Sequence, residues 1–274
     1  MHFLRINKTL LVVITLLAAT IWVALPPGTA PERVTEADST LPDFRAFPAG
    51  PERKREFFGF VRPIVTAANA GILEQRSRLQ RLREQSEFSK RDRRWLESAA
   101  DSYGVALVDQ TGAERSRHDV VAELLLRVDE VPESLALAQA AKESGWGTSR
   151  FAREGNNLFG EWCFTAGCGI VPKQRAAGRQ HEVERFPSPA ESVASYLRNI
   201  NTHDSYKSFR QARKAQRDSR GTLSGLELAQ ELSRYSERRE AYVRELRALI
   251  VGNQLETTAA NENRSDSNEL PDRN

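Results

Sequence analysis

The chain has 274 residues, of which 28% are charged and 39% hydrophobic, and its formal net charge is +3. Such a chain is long enough for one folded core with helical additions, and its small net charge defines no partner. No glycine-rich phosphate loop, metal-ligand cluster or Ser/His/Asp set stands out, so the sequence gives no indication of a cofactor or a metal.

The amino-terminal region predicts a membrane anchor. Residues 1–8 carry Arg5 and Lys8, whereas residues 9–30 carry no charged side chain. The apolar stretch at 9–25, about 17 residues, is at the short limit for a transmembrane helix and long for a signal peptide. Trp22 stands third from a cut after Ala24, which disfavours cleavage there. We therefore expect a single-pass inner-membrane protein with a cytoplasmic 1–8 and a periplasmic catalytic domain, and a cleaved signal segment is the alternative.

Two segments separate this anchor from the main domain. Residues 26–51 are rich in Pro, Thr, Ala and acidic residues without periodicity, which is typical of a linker. Residues 52–102 predict a helical extension, because apolar residues recur there at spacings of three and four. Residues 75–84 are so charged that we expect a solvated face. The extension has few apolar positions, so we expect it to pack on the following domain without a core of its own.

The stretch at 133–160 predicts a buried helix that ends in an acid. Residues 135–141 are apolar nearly all round, and Glu143 lies near the end of the helix. Gly145 and Gly147 can close the helix with left-handed backbone, and Trp146 supplies an aromatic wall. Burial favours the neutral form of a carboxyl group, which suits Glu143 to donate a proton. The alternative is an ordinary solvated or paired carboxylate.

Two motifs in this stretch resemble a known family. Gln139-Ala-Ala-Lys-Glu-Ser-Gly-Trp-Gly147, followed by Asn156-Asn-Leu-Phe-Gly160, is similar to the motif pair of bacterial glucosaminidases of glycoside hydrolase family 73. The resemblance implies a mainly α (α+β) fold at 103–252, a lysozyme-like helical domain with a small β-hairpin lobe. It also implies that Glu143 is the catalytic acid. Side chains expected to line the sugar subsites are Trp146, Asn157, Phe159 and Tyr206.

The two cysteines of the chain follow these motifs, at Cys163 and Cys168. An exported domain permits them to form a disulfide. A disulfide is favoured over a metal site because two thiols without nearby histidines give too few ligands for zinc. The crosslink would fix the local shape of the cleft wall.

A second catalytic carboxylate is harder to identify. Residues 170–187 alternate like a short hairpin, and Glu182 and Glu184 share one face of it. Either could activate water or stabilise developing positive charge, although each could equally be an exposed strand residue. Glu161 is a third candidate, and the 2-acetamido group of the substrate could replace a second carboxylate.

The carboxyl-terminal part predicts further helices. Ser188 caps a helix, and the segment ending at Tyr206 resembles the part of the family that places an aromatic residue beside the sugar, with Tyr196 as a core alternative. Basic residues then recur at helical spacing, and we expect a solvated stripe, with an anionic wall or lipid headgroups as an alternative partner. The members of this basic stripe are Lys207, Arg210, Lys214, Arg217 and Arg220. Two closing helices follow, and residues 253–274 predict a disordered tail.

The family resemblance implies a peptidoglycan hydrolase. The resemblance implies an endo-β-N-acetylglucosaminidase that cuts the β-1,4 bond following N-acetylglucosamine. The alternatives are a muramidase or lytic transglycosylase, and a wall-binding scaffold without activity. The expected partners are glycan strands and, through the anchor, the membrane, whereas nucleic acid is not expected.

Overall fold

The computed structural model describes residues 40–256 except 174, 176, 177, 234 and 237. These residues form helices and one small sheet, which confirms a mainly helical fold with a small β-lobe. The helices are α1 (Pro51–Arg83), α2 (Lys90–Ser102), α3 (Arg117–Arg127), α4 (Glu133–Ser144), α5 (Arg150–Gly155), α6 (Pro189–Thr202), α7 (Lys207–Arg220), α8 (Gly225–Leu228) and α9 (Arg239–Gly252). Short 3-10 helices cover Phe44–Ala46, Asp204–Tyr206 and Ala229–Leu232.

Serine caps fix the starts of several helices. The side chain of Ser188 accepts a hydrogen bond from the backbone N–H of Glu191, as the sequence predicts. A serine forms the equivalent cap at the start of α2, α3 and α5. Such a cap satisfies one of the amide groups that have no partner within the helix. Each cap therefore sets where its helix begins, and hence which residues face the core.

The small sheet consists of β1 (Trp162–Cys163), β2 (Gly169–Ile170) and β3 (Glu182–Glu184). Its order is β1-β3-β2, and both pairings are antiparallel. The hairpin predicted at 170–187 corresponds to β2 and β3. The additional strand β1 was not predicted, because two residues are too short to show strand periodicity.

The main hydrophobic cluster surrounds α4. Every residue of this helix from Ser134 to Ala141 is buried, and α4 contacts α1, α8 and α9. Other members of the cluster come from α1 and α6, including Phe57 and Tyr196. The prediction of a helix that packs on several sides is confirmed. The helix thus holds Glu143 on a rigid support.

A second hydrophobic cluster lies beside the first and joins the helical extension to the domain that follows it. Leu79 and Leu82 of α1 pack with Leu96 of α2 and Leu124 of α3. The extension therefore packs on the following domain through a cluster that it shares with α3, because the charged stretch at 75–84 still places apolar residues on one face. The first half of α1 packs in the main cluster, so this single helix joins both.

The predicted basic stripe is partly buried. Arg210 is 3% exposed and donates to the carbonyl oxygens of Ile200 (3.0 Å) and His203 (2.9 Å). Arg217 pairs with Asp129 at 2.9 Å and Glu130 at 2.5 Å. These arginines tie α7 to neighbouring segments, so the expectation of a solvated stripe was wrong for them. Periodicity alone cannot distinguish an arginine in water from one that donates to backbone carbonyls.

The boundaries of the predicted linker and tail also differ. Phe44, inside the predicted linker, is 1% exposed and packs in the main cluster. At the other end, Leu255 packs in the same cluster, and the carboxylate of Glu256 accepts the amide of Gly225 at 2.7 Å. The predicted anchor lies outside the described residues. In the part of the chain that is described, no helix is long and apolar enough to cross a membrane.

Candidate active site

The helix α4 ends in a tight left-handed turn directly after Glu143. Gly145, Trp146 and Gly147 have φ angles of 57°, 60° and 72°. A positive φ is uncommon for a bulky residue such as tryptophan, so the surroundings must hold this turn. Ser144 does so in part, because its hydroxyl donates to the carbonyl of Ala140 (2.6 Å) and accepts the amide of Gly147 (2.8 Å).

Aromatic side chains from the amino-terminal segment hold the rest of the turn. The Trp146 ring packs edge-on against Phe57 and Phe58, with centroid distances of 5.9 and 5.3 Å. Phe44 covers Gly147 so closely that a Cβ there would lie 2.3 Å from its ring. Trp146 is therefore part of the packing that supports Glu143, and the geometry gives no support for its predicted contact with sugar.

A hydrogen-bonded polar network reaches Glu143 through Tyr242. The Tyr196 hydroxyl donates to Gln139 Oε1 at 2.6 Å, and Gln139 Nε2 donates to the Tyr242 hydroxyl at 3.0 Å. Burial raises the pKa of Glu143, and hydrogen bonding with Tyr242 partly opposes the rise. A raised pKa favours the protonated form of the carboxyl group, which suits a general acid.

Asn157 organises the loop that follows α5. This residue is 1% exposed, and its side-chain oxygen accepts the amides of Phe159, Gly160 and Glu161. Its side-chain nitrogen donates to the carbonyls of Glu161 (3.0 Å) and Glu184 (2.9 Å). Asn157 thus joins the loop to strand β3. Its buried side chain is already satisfied, which does not support the predicted contact with substrate.

A cavity of about 440 Å³, here called the cleft, lies between the sheet and α6. Glu161, Glu184, Ser195, Arg198 and Tyr206 are among its lining residues. One oxygen of Glu161 accepts from the Ser195 hydroxyl at 3.2 Å, and the other is buried without a partner among the described residues. Burial, with a contribution from Glu184, raises the pKa of Glu161 to about 8. Glu161 therefore carries a proton at neutral pH.

Glu182 occupies a different environment from Glu184. Its two carboxylate oxygens accept the amides of Gly167 (3.1 Å) and Gly169 (2.8 Å), and these hydrogen bonds lower its pKa. The carboxylate therefore braces the loop closed by the Cys163–Cys168 disulfide, a pairing that the structure confirms. This geometry does not support Glu182 as the residue that activates water. The paired sulfurs, although close to Glu182, offer no thiolate to a metal.

The structure brings together only some of the predicted site residues. Glu184 and Tyr206 line the cleft with Glu161. Glu143 is not among the lining residues of the cleft. The pKa of Tyr196 is raised by burial and, to a smaller extent, by the charges of Tyr206, Glu161 and Glu143. Phe159 is buried, and its ring stacks on that of Tyr196 at 3.9 Å.

Two tyrosines near Glu143 were not predicted as site residues. The Tyr235 ring stacks on Tyr242 at 5.5 Å and lies 6.2 Å from Tyr206, so tyrosines form a continuous row between Glu143 and the cleft. A signal was present in the sequence, since four of the five tyrosines lie between positions 196 and 242. A buried tyrosine hydroxyl needs a partner, and several together indicate a polar site within a core.

Comparisons with known proteins agree with these motifs. Residues 121–255 match the glucosaminidase family model, described as mannosyl-glycoprotein endo-beta-N-acetylglucosaminidase. The chain is also similar to Protein bax of Escherichia coli (strain K12), with 36% identity over 222 residues, which cover 81% of this chain and 77% of that protein. No solved structure matches the chain significantly.

Proposed function

Because this chain belongs to the glucosaminidase family of glycosidase-type enzymes, we propose that it hydrolyses peptidoglycan as an endo-β-N-acetylglucosaminidase. It would cut the β-1,4 bond that follows N-acetylglucosamine. The observation that carries the proposal is the half-buried carboxyl of Glu143, held at the end of α4 with a raised pKa. Such a group can protonate the leaving oxygen of a glycosidic bond.

The cleft supports separate roles for its two carboxyl groups. Glu161 has a pKa of about 8, so at neutral pH it can donate a hydrogen bond but cannot take a proton from water. Glu184 lies on the same wall and, of the two strand carboxylates, is the one that lines the cleft. We assign Glu184 to the activation of water or the stabilisation of positive charge on the sugar. The 2-acetamido group of the substrate is the alternative that amino sugars allow.

Aromatic side chains of the cleft offer the sugar a binding surface. Tyr206 lines the cleft, and burial raises its pKa to about 12, so its hydroxyl stays protonated and can donate to substrate. Exposed Trp162 and Phe164 lie on the opposite wall. Aromatic faces against a polar wall suit a ring that has both C–H and hydroxyl groups.

The place of action follows from the substrate. Peptidoglycan lies outside the cytoplasmic membrane, and the Cys163–Cys168 disulfide suits an oxidising compartment. The proposed location is the periplasm, with residues 9–25 as an inner-membrane anchor. Fractionation of cells should then place the full chain in the membrane fraction after alkaline carbonate extraction, and recovery in the soluble fraction would contradict the anchor.

The test of the proposed activity is digestion of purified peptidoglycan by the full chain beside its Glu143→Gln variant, with mass spectrometry of the new ends. New reducing N-acetylglucosamine ends that disappear in the variant are the expected result. Glu240→Gln is the matched control, because Glu240 is exposed on α9. Anhydro-muramic or reducing muramic ends would assign the activity to a lytic transglycosylase or a muramidase. Binding to the wall without any release would indicate a scaffold.

A further inference from the structure

A second cavity lies on the other flank of α6 from the cleft. Its volume is about 300 Å³, and it is here called the side groove. Residues of α1, the end of α2 and α6 line it, among them Gly71, Tyr103 and Asn201. None of its lining residues is acidic. The groove is thus formed jointly by the amino-terminal helices and the glucosaminidase domain.

Arg198 belongs to both cavities. On α6, Ala194, Leu197, Arg198 and Asn201 line the side groove, and their spacing of three and four places them on one face. Arg198 also lines the cleft, together with Ser195 and Asn199 of the neighbouring face. The arginine therefore stands on the ridge that separates the two cavities.

The Arg198 side chain is available to a ligand. It is exposed, and it forms no ion pair or hydrogen bond with any residue that the structure describes. Many arginines nearby are engaged, as Arg127 is with the carbonyls of Tyr103 and Thr202. A free guanidinium beside a groove without acidic groups is complementary to a carboxylate.

The positive charge of Arg198 acts on Tyr103, which lines the side groove. Burial raises the pKa of Tyr103, and the charges of Arg198 and Arg213 oppose the rise. Both arginines therefore contribute positive potential where a ligand in the groove would lie. An anionic ligand would be favoured there over a neutral one.

We propose that Arg198 and the side groove bind the short, carboxylate-bearing peptide that projects from a glycan strand lying in the cleft. The inference rests on the proposed function and extends the substrate from sugar to sugar with its peptide. A helix with its side chains is about 10–12 Å wide. A peptide of four extended residues spans about 13–14 Å, which is enough to cross the ridge of α6.

Two substitutions test this site without altering the cleft carboxyls. Arg198→Ala removes the charge, and Arg244→Ala is its control, because Arg244 is exposed on α9 away from both cavities. Gly71→Leu fills the side groove, since a Cβ at Gly71 meets open space. Gly59→Leu is its control, on the same helix and equally free of contacts. Both leucines also raise helix propensity, so neither variant should fail to fold.

The measurement is equilibrium binding of a soluble disaccharide-peptide, with the same disaccharide lacking its peptide as the second probe. The parent chain and every variant in this measurement also carry Glu143→Gln, so that hydrolysis cannot consume the ligand. Arg198→Ala should weaken binding of the peptide-bearing probe by about tenfold, the effect of losing one charge-assisted hydrogen bond. Gly71→Leu should also weaken it, because the leucine side chain occupies the space that the peptide would take. Gly71→Leu should leave binding of the bare disaccharide unchanged, and Arg198→Ala should weaken binding of the peptide-bearing probe more than that of the bare disaccharide. Both control variants should bind the two probes as the parent chain does.

Either of two results would overturn the inference: equal binding of the peptide-bearing probe by all variants, or equal weakening with both probes, which would assign Arg198 to the sugar. Binding does not require catalysis. A chain that hydrolyses nothing but still binds the peptide through Arg198 would therefore refute the proposed function alone, and a chain that hydrolyses glycan without this selectivity would refute the inference alone.

Discussion

At the scale of single residues, a carboxyl group can be judged by what surrounds it. Glu143, Glu161, Glu182 and Glu184 were all candidates for catalysis from the sequence. Their oxygens meet different partners: a tyrosine at Glu143, a serine hydroxyl at Glu161 and backbone amides at Glu182. Hydrogen bonds from amides favour the charged form, whereas burial favours the neutral form. The surroundings thus separate groups that sequence position leaves equivalent.

Glu161 should make the stability of the protein depend on pH. Its pKa is about 8 in the folded protein against an ordinary value of 4.5. Between these values the folded protein retains a proton that the unfolded chain releases, so the free energy of unfolding falls as pH rises from about 4.5 to about 8. We expect a decrease on the order of a few kcal/mol. Glu161→Gln should remove it, because an amide does not titrate.

Urea unfolding at pH 5 and pH 8 measures this effect as the difference between the wild type and Glu161→Gln. Glu240→Gln serves as the control for losing one exposed carboxylate. Taking the difference cancels the contributions of groups that both proteins share, such as Glu143. An identical pH dependence in wild type and Glu161→Gln would show that the Glu161 carboxyl is not held neutral.

At the scale of elements, the sequence predicted what periodicity and caps determine. The buried α4, the Ser188 cap and the β2–β3 hairpin were predicted, because each depends on neighbouring residues. The roles of Trp146 and Asn157 depend on long-range contacts, with Phe57 and with Glu184, that no local pattern encodes. In the structure, the side chains of Ser144, Trp146 and Asn157 in the two family motifs hold the turn after α4 and the loop after α5.

Buried Arg213 also shows that a local sequence pattern does not reveal long-range contacts. It is 1% exposed and donates to the carbonyls of Leu126, Arg127, Asp129 and Glu130 at 3.0–3.2 Å, and to Asn201 Oδ1 at 2.7 Å. It therefore joins α7 to the end of α3 and to α6. A sequence places such an arginine on a basic face, because the acceptors are backbone groups, which every residue carries.

Loss of the disulfide should have a small effect on the β-lobe. Cys163 and Cys168 are only five residues apart, so the crosslink stabilises through loop entropy by about 2 kcal/mol. Glu182 holds the same loop through two amide hydrogen bonds. We expect the Cys163→Ser/Cys168→Ser variant to unfold at slightly lower urea concentration, with peptidoglycan digestion nearly unchanged.

Adding Glu182→Ala to that variant should lower digestion further, because the loop then loses both restraints. The comparison of urea midpoints and digestion rates among wild type, the cysteine variant and the triple variant measures the two contributions. Full loss of digestion in the cysteine variant alone would mean that the disulfide, and not Glu182, maintains the shape of the cleft wall.

At the scale of the whole molecule, the amino-terminal helix belongs to the catalytic unit. Helix α1 contacts α3, α4 and α6, and it contributes Phe57 to the main cluster and Leu79 to the second. Phe44, still farther towards the amino terminus, covers the turn that follows Glu143. A truncation at residue 102, where the sequence alone suggested a domain boundary, would therefore remove side chains that hold the proposed acid in place.

The two hydrophobic clusters should consequently unfold together. The described part of the chain exceeds the size at which a single transition is routine, about 150 residues, so cooperativity here depends on α1 spanning both clusters. Calorimetry of the full chain should show one transition with equal calorimetric and van't Hoff enthalpies. Leu79→Ala in the second cluster and Phe57→Ala in the main cluster should each cost about 2–5 kcal/mol and shift that same transition.

Leu107→Ala is the matched control, because Leu107 is 38% exposed and its truncation leaves no buried cavity. Trp146 reports on the main cluster and Trp95 on the second cluster. If α1 couples the two clusters, Leu79→Ala lowers the melting temperature measured with either tryptophan by the same amount. Two resolved transitions, with Leu79→Ala moving only one of them, would mean that the second cluster is a separate folding unit.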